Sequence, residues 1–227
     1  MKPHELGVRA PVALLVLLLV ASVRCGPLVP VDDSLLTGSP CKPPCWQGLT
    51  PGVSTEDQVN EFLRSSPFVQ RSTIYRARVA RGAEMAGVSI DWLSTANVQG
   101  AHAVNSFRVQ HGVLRDLMVY LDSKATLKQL LDVYGAPAAF SAGRTGVEFT
   151  RVDVVLLYPE HGFIAFLALD AYHPSLHPDS TLSKVWYFET APLDEFLELT
   201  REVGFFSGSV GVDSFRDWEG YGPIAVD

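Results

Sequence analysis

Two segments of the chain carry the residue pattern of a short, capped helix. In the first, Thr55 stands three residues before Gln58, and apolar residues then recur at helical spacing at Val59, Phe62 and Leu63. Thr followed three residues later by Gln is the capping-box pattern, in which each side chain accepts a hydrogen bond from the other residue's backbone N–H. The pattern predicts an amphipathic helix that begins after Thr55 and ends by Pro67.

The same pattern returns at Thr126, with Gln129 three residues later and apolar residues at Leu130, Val133 and Tyr134. Gly135, followed by Pro137, predicts where this second helix ends. A third helix is predicted from Leu193 to Val203, with Gly204 ending it. The recurrence of the capped helix indicates a duplicated unit of about 70 residues.

Strand-like segments follow the first two helices. After the first helix we expect strands at Ser72–Val79, Val88–Leu93, Ala103–Gln110 and Leu114–Leu121. After the second helix we expect them at Val147–Thr150, Asp153–Tyr158, Phe163–Leu169 and Ser183–Glu189. The run Val152–Tyr158 is almost continuously apolar, which indicates a central strand. The order predicts an α+β fold in which short helices pack on an antiparallel sheet, as two tandem modules.

The predicted modules cover residues 41–120 and 121–204. Residues 26–40 contain Pro and Gly without periodicity, which indicates a linker. Residues 205–227 are rich in Gly and aromatic residues, and this tail either wraps an edge strand or serves as a binding arm.

Residues 1–25 have the pattern of an export signal, because Lys2 and Arg9 precede an unbroken apolar run from Val12 to Ala21. Ten helical residues at about 1.5 Å each are too short to cross a hydrocarbon core about 30 Å thick. We therefore expect a signal peptide and a folded part outside the cytoplasm, secreted or tethered to the outer face of the membrane.

Cys25 stands at the end of this segment and leaves several processing routes open. As a lipidated first residue it would tether the domain to the membrane. However, Arg24 occupies the position where lipoprotein processing normally takes a small residue. Ordinary cleavage after Cys25 or after Ser22 would release the chain, and an uncleaved anchor is the third outcome.

The folded region is expected to begin near Cys41, where Cys41 and Cys45 flank a Pro-Pro pair. In an oxidising compartment two such cysteines most often form a disulfide. Zinc is the rival interpretation, but two thiols with no nearby His fill only half of its coordination sphere. We expect the disulfide to fix this segment so that Trp46 packs on the first helix near Val59 and Phe62.

The motif Cys-x-Pro-Pro-Cys-Trp-x-Gly-x-Thr-Pro-Gly at Cys41–Gly52 and the later helix that ends in Gly-x-Pro resemble exported bacterial proteins, many of which are lipidated. More remotely, the chain is similar to small outer-membrane lipoproteins of the barrel-assembly machinery and to the β-lactamase-inhibitor-protein fold. The resemblance implies short helices on an antiparallel sheet over residues 41–190, and a role in binding other proteins.

Composition narrows the range of partners. The chain is 47% hydrophobic, which is typical of a folded protein, and its formal net charge is −7. An acidic chain without basic clusters has no electrostatic reason to bind nucleic acid or anionic lipid. We therefore expect a protein or a cell-envelope component as the partner, and membrane contact only through a lipid on Cys25.

One loop has the side chains of a metal site, with Asp170, His173, His177 and Asp179 close together in sequence. Pro174 and Pro178 prevent a helix that would place the two imidazoles on one face. A polar loop ordered by proline is favoured, so no metal ligand, cofactor or catalytic residue is predicted. The alternative is a metal-binding protein or metal-dependent hydrolase that uses this loop.

Ser106, His102 and Asp116 are the residue types of a serine-hydrolase triad, but no Gly-x-Ser-x-Gly turn accompanies them. Trp186, Tyr187 and Phe188 are consecutive, so a strand must place at least one of them on each face of the sheet. If helices leave one face uncovered, these aromatics would form a binding surface. The sequence thus predicts a non-enzymatic exported protein that binds a partner through a sheet face.

The expected disulfide generates the first prediction. Thiol titration of the denatured but unreduced mature protein should find neither Cys41 nor Cys45 free. Reduction should loosen this corner without unfolding the sheet, because closing so short a loop contributes only about 2 kcal/mol. Two reactive thiols before reduction would contradict the pairing.

Overall fold

The computed structural model describes residues 31–81, 84–95, 103–121, 124–145, 150–203 and 214–226. Its centre is a sheet of eight strands in which every neighbouring pair is antiparallel. The strands are β1 (Val69–Arg81), β2 (Glu84–Ser94), β3 (Val104–Gln110), β4 (Val113–Tyr120), β5 (Ala139–Thr145), β6 (Arg151–Tyr158), β7 (Phe163–Asp170) and β9 (Leu182–Phe188). Two further short strands, β8 (Ser175–Leu176) and β10 (Gly222–Pro223), pair with each other.

The sheet consists of two halves of four strands, which meet in its middle. The first half is β1 to β4, and the second half is β5, β6, β7 and β9. The spatial order of the strands is β1-β2-β3-β4-β9-β7-β6-β5, so the last strand of the first half lies beside the last strand of the second. Five residue pairs join β4 to β9, from Asp116 opposite Phe188 to Tyr120 opposite Lys184. We call this junction the seam, and it makes one continuous sheet of the two halves.

The helices are α1 (Ser34–Thr37), α2 (Glu56–Ser65), α3 (Leu127–Tyr134) and α4 (Leu193–Val203). Both predicted capping boxes are present, at the starts of α2 and α3. The first residue of each of these two helices also donates its backbone N–H to a carbonyl oxygen just before the last strand of its half. Glu56 donates to Gly112, before β4, and Leu127 donates to Ser180, before β9, each at 2.8 Å. Each helix is thereby fixed to its half of the sheet at its N-terminus. The fold is therefore α+β, as predicted, and the sheet dominates it.

The two faces of the sheet are covered unequally. On one face, α1, α2, α3 and residues around Trp46 enclose the main core, whose largest fully buried side chains are Trp46, Tyr187, Phe107, Phe140 and Phe163. On the other face, which we call the outer face, α4 covers a smaller cluster that includes Ile164, Trp186 and Phe196. Among the described residues, this smaller cluster includes no side chain from β1, β2 or β3.

Trp46 attaches the N-terminal segment to the main core. Its ring centroid lies 5.2 Å from that of Phe62 on α2 and 6.1 Å from that of Trp92 on β2, and its Nε1–H donates to the buried carboxylate of Asp32. The predicted packing of Trp46 on the helix that follows Thr55, which is α2, is confirmed. The Sγ atoms of Cys41 and Cys45 lie at disulfide distance, 2.05 Å, as the sequence predicts.

The structure differs from the sequence prediction in several places. Residues 31–40, expected to be linker, instead form part of the compact unit that begins at Val31, because Leu35 is buried in the main core and Asp32 accepts the Trp46 hydrogen bond. Strand β5 was not predicted, since its Ala- and Gly-containing sequence has low strand propensity. The strand expected at Val147–Thr150 lies largely outside the described residues, and Thr150 is not in a strand.

The C-terminal tail covers part of the edge of the sheet formed by β5, around Phe140. Phe140 of β5 and Arg216 of the tail exchange both backbone hydrogen bonds, each 2.9 Å long, and Trp218 contacts the Phe140 ring edge-on at 5.6 Å. Farther along, β10 pairs with β8. Of the two roles considered for the tail, residues 214–226 take the first and wrap an edge strand. Residues 1–30, with Cys25, and residues 204–213 lie outside the described part of the chain.

The turn between β6 and β7 generates the second prediction. Gly162 has a φ of +67°, and a Cβ there would lie 2.5 Å from the carbonyl oxygen of Phe188 and 2.6 Å from the Cβ of Pro44. Gly162→Ala should lower the free energy of unfolding by about 2–5 kcal/mol, because a left-handed backbone costs about 1–2 kcal/mol and overpacking about 1–3 kcal/mol. Urea unfolding followed by circular dichroism measures the loss.

Gly112→Ala is the matched control. Gly112 also has a left-handed backbone, with a φ of +75°, but a Cβ there would meet no atom within 4 Å. Gly112→Ala should lower the free energy of unfolding only by the cost of a left-handed backbone at Ala, about 1–2 kcal/mol. Equal losses in the two variants would show that Gly162 is not confined by Phe188 and Pro44.

Candidate functional site

The outer face of the sheet changes from covered to uncovered at the seam. One row of directly opposed residues crosses it from β1 to β6: Tyr75, Asp91, Ser106, Met118, Trp186, Ile164 and Leu157. The members on β6, β7 and β9 are buried beside α4, whereas those on β1 to β4 are at least partly exposed, and Tyr75 is 64% exposed. We call the outer-face side chains of β1 to β4 the open face.

A charged network lies where the open face meets the covered part. The Nε atom of Arg108 on β3 lies 2.8 and 2.9 Å from the two carboxylate oxygens of Asp116 on β4. Trp186 of β9 donates its indole N–H to the same carboxylate at 2.9 Å. The Arg108 guanidinium also lies over the Trp186 ring, 5.8 Å from its centroid. These contacts join three strands across the seam.

The Asp116 carboxyl is almost buried, and its protonation reflects two opposing effects. Burial raises the pKa of Asp116 above its ordinary value, because a low-dielectric environment disfavours the charged form. The charge of Arg108 and the hydrogen bonds from Arg108 and Trp186 act in the opposite direction. With these donors in place the carboxylate serves as the fixed centre of the network.

Lys184 of β9 lies farther along the seam on the same face. Its Nζ is 4.5 Å from the ring centroid of Phe166 and 5.9 Å from that of Tyr120, which is cation–π distance in both cases. Burial lowers the pKa of Lys184 and raises the pKa of Tyr120. Both shifts have the same cause, since burial disfavours the charged form of each group.

A hollow of about 240 Å³ opens beside Lys184. Its floor comes from β4, β6, β7 and β9, and its lining includes Tyr120, Asp153, Phe166, Ala168 and Lys184. The lining combines two aromatic rings, small apolar side chains and charged groups.

The two edges of the sheet differ. Strand β5 is covered by the tail, whereas β1, at the other edge, pairs with β2 alone within the described residues. Strand β1 is thirteen residues long, and it contains four arginines and no acidic residue: Arg71, Arg76, Arg78 and Arg81. A long, uncovered edge strand presents unpaired backbone N–H and C=O groups to solvent.

The sides of β1 carry different chemistry. Tyr75 and Val79 lie on the outer face and are exposed, and Tyr75 is directly opposite Asp91 of the open face. Arg76 and Arg78 alternate with them and lie on the other side, where the Nη2 atom of Arg76 reaches Asn60 of α2 at 2.6 Å. The strand therefore offers an apolar row on one side and a basic row on the other.

The three consecutive aromatics do not form an exposed surface. The side chain of Tyr187 lies in the main core, and those of Trp186 and Phe188 lie in the smaller cluster on the outer face. The three aromatics are therefore divided between both faces of the sheet, as expected from the sequence. All three are buried, because α4 lies over the second half of the sheet and Phe196 stacks on Phe188 at 4.4 Å. The binding surface that the sequence placed at these residues is therefore occupied by the protein's own helix.

The loop considered for metal binding does not assemble a ligand set. Asp170, His173, His177 and Asp179 are all described, and no three His, Cys, Asp or Glu side chains in the described part of the chain come together in a way that could hold a metal ion. Asp170 instead accepts a hydrogen bond from the backbone N–H of Tyr172 at 2.8 Å. This geometry gives the metal-site alternative no support.

The residues that shape this site were not predicted from the sequence. Asp116 was considered only as a triad member, and His102 of that triad lies outside the described residues. Arg108, Tyr120 and Lys184 were not singled out, because their proximity depends on the β4–β9 pairing. The statement that the chain lacks basic clusters is wrong for β1, and the alternation of arginines with Tyr75 and Val79 was a signal that could have identified it as a basic edge strand.

Within the described ranges, no helix is long and apolar enough to span a membrane. Comparisons with protein families, with curated proteins and with solved structures find no match to this chain.

Proposed function

We propose that this chain is a non-enzymatic binding protein that works outside the cytoplasm and takes up an extended, acidic segment of a partner protein along β1. The observation that carries the proposal is the contrast between the sheet edges. The chain's own tail pairs with the outer edge of β5 at Phe140, while no described segment pairs with the outer edge of the thirteen-residue strand β1. An added strand would satisfy the backbone groups of that edge.

The charge of β1 indicates the chemistry of the partner. Arg71, Arg76 and Arg78 are exposed on β1, and the strand contains no acidic residue, so it is locally positive in a chain whose net charge is −7. A segment rich in Glu or Asp would be attracted to this patch and kept from the rest of the acidic surface. Arginines on an edge strand also oppose self-association, so partner selection and protection against aggregation are compatible here.

The alternation along β1 specifies a pattern for the partner segment. Side chains directly opposite each other on neighbouring strands lie on the same face and contact each other. A strand beside β1 would therefore place one set of residues next to Tyr75 and Val79 and the other set next to Arg76 and Arg78. Alternating apolar and acidic residues complement both sides.

Two features support a tandem duplication behind this architecture. The capping boxes of α2 and α3 match, and each helix donates a backbone hydrogen bond to a carbonyl one or two residues before the last strand of its half. In this proposal the second copy acquired α4 and the tail as covers, and the first copy kept its outer face and edge available. The resemblance to protein-binding exported proteins and to the β-lactamase-inhibitor-protein fold, which rests on the sequence motif alone, would agree with such a role.

The compartment is part of the proposal and rests on the signal-like residues 1–25 and on the Cys41–Cys45 pair. A protein or another component of the cell envelope is the natural partner in that compartment. Lipidation of Cys25 would hold the binding edge near the membrane, and cleavage would release it. Either form presents the same edge.

A synthetic peptide tests the proposed function. A nonapeptide that alternates Glu with Val and Tyr should bind the intact protein saturably in fluorescence anisotropy, and the version with Lys in place of Glu should not. Arg78→Glu should weaken binding by about tenfold, because it replaces an attraction by a repulsion. Lys128→Glu on α3, which makes the same charge change in the other half of the molecule, should leave the affinity unchanged.

N-methylation of the peptide tests whether the backbone pairs. Only one edge of an added strand faces β1, so methyl groups on one alternate set of amides should abolish binding and those on the other set should not. Equal affinity of the two methylated peptides, or equal binding of the Lys and Glu peptides, would refute strand addition of an acidic segment.

A further inference from the structure

Lys184 is a partly buried cation whose charge the surrounding side chains compensate only in part. Within the described residues, no carboxylate lies within 4.0 Å of its Nζ, and its closest favourable contacts are the rings of Phe166 and Tyr120. Buried charges in proteins are normally paired and hydrogen-bonded, because desolvation is costly. The ring faces compensate the charge in part and leave the three N–H donors of the ammonium group available.

The other charged groups of the hollow neutralise each other. Arg151 and Asp153 of β6 form an ion pair, with Nε 2.8 Å from Oδ1 and Nη2 3.3 Å from Oδ2. Asp153 therefore directs its carboxylate oxygens to Arg151 rather than to Lys184. The remaining charge in the hollow is the single positive charge of Lys184.

We propose that this hollow binds a small organic carboxylate, with the carboxylate group at Lys184 Nζ and the apolar body against Phe166 and Ala168. A single unpaired positive charge matches a monoanion and leaves a dianionic phosphate half uncompensated. The aromatic and alanine side chains match a hydrocarbon body and offer little to a compact, fully hydrated anion. This site is independent of strand addition at β1.

The size of the hollow limits the ligand. Its volume is about 240 Å³, and a cavity of about 150 Å³ can hold one benzene, so it has room for one ring with a carboxylate. Benzoate meets the three requirements of size, single charge and apolar body. Benzamide has the same shape without the charge, and inorganic phosphate has the charge without the apolar body.

The test is titration of the ¹⁵N-labelled full-length protein with these three compounds, followed by NMR. Benzoate should shift the amides of Phe166, Ala168 and Lys184 saturably and with one dissociation constant. Benzamide and phosphate should bind at least about tenfold more weakly, since each lacks one element of the match. Failure of benzoate to saturate these shifts, or equal binding of benzamide or of phosphate, would overturn the proposal.

Two lysine variants complete the experiment. Lys184→Met keeps the length of the side chain and removes the charge without leaving a described carboxylate unpaired, and it should weaken benzoate binding by at least about tenfold. Lys128→Met removes an exposed lysine that is paired with Asp132 on α3, and it should leave benzoate binding unchanged. Unchanged binding in Lys184→Met, with the spectrum otherwise native, would refute the role of Lys184. The Glu-containing peptide should bind both variants equally, so the β1 and Lys184 proposals stand or fall separately.

Discussion

The pairing of β4 with β9 is the constraint on which the rest of the structure depends. It turns two four-stranded halves into one sheet and brings Leu117 and Tyr187 together on the main-core side. On the outer side the same five residue pairs place Asp116 near Trp186 and Tyr120 near Lys184. Since each half contributes one member of each pair, neither half could form the charged network or the Lys184 hollow by itself.

The different surroundings of the two halves follow from this shared sheet. The second half is covered on its outer face by α4 and along β5 by the tail, while the first half is covered by α2 on the main-core side only, as far as the described residues show. The Cys41–Cys45 segment also reaches the second half, since Pro44 contacts the turn at Gly162. The second half is thus packed against other parts of the chain on both faces, and the first half presents the open face and the basic edge.

The sequence predicted the features that depend on neighbouring residues. Thr55 and Thr126 identified their helices because a capping box lies within one turn, and the continuous apolar run of β6 identified a central strand. It failed where distant segments decide the outcome. Trp186 and Phe188 look like a surface until α4 is placed over them, and the small residues of β5 form a strand because β6 and the tail pair with it.

Native-state hydrogen exchange of the backbone amides tests most directly whether the seam holds the fold and leaves β1 available. The account predicts that hydrogen-bonded amides of β4 and β9 exchange slowest, through global unfolding, and that amides of β1 exchange much faster through local opening of the uncovered edge. The amides of β5, under the tail, should be protected more than those of β1. Amides of β9 that exchange as fast as those of β1 would contradict the central role of the seam.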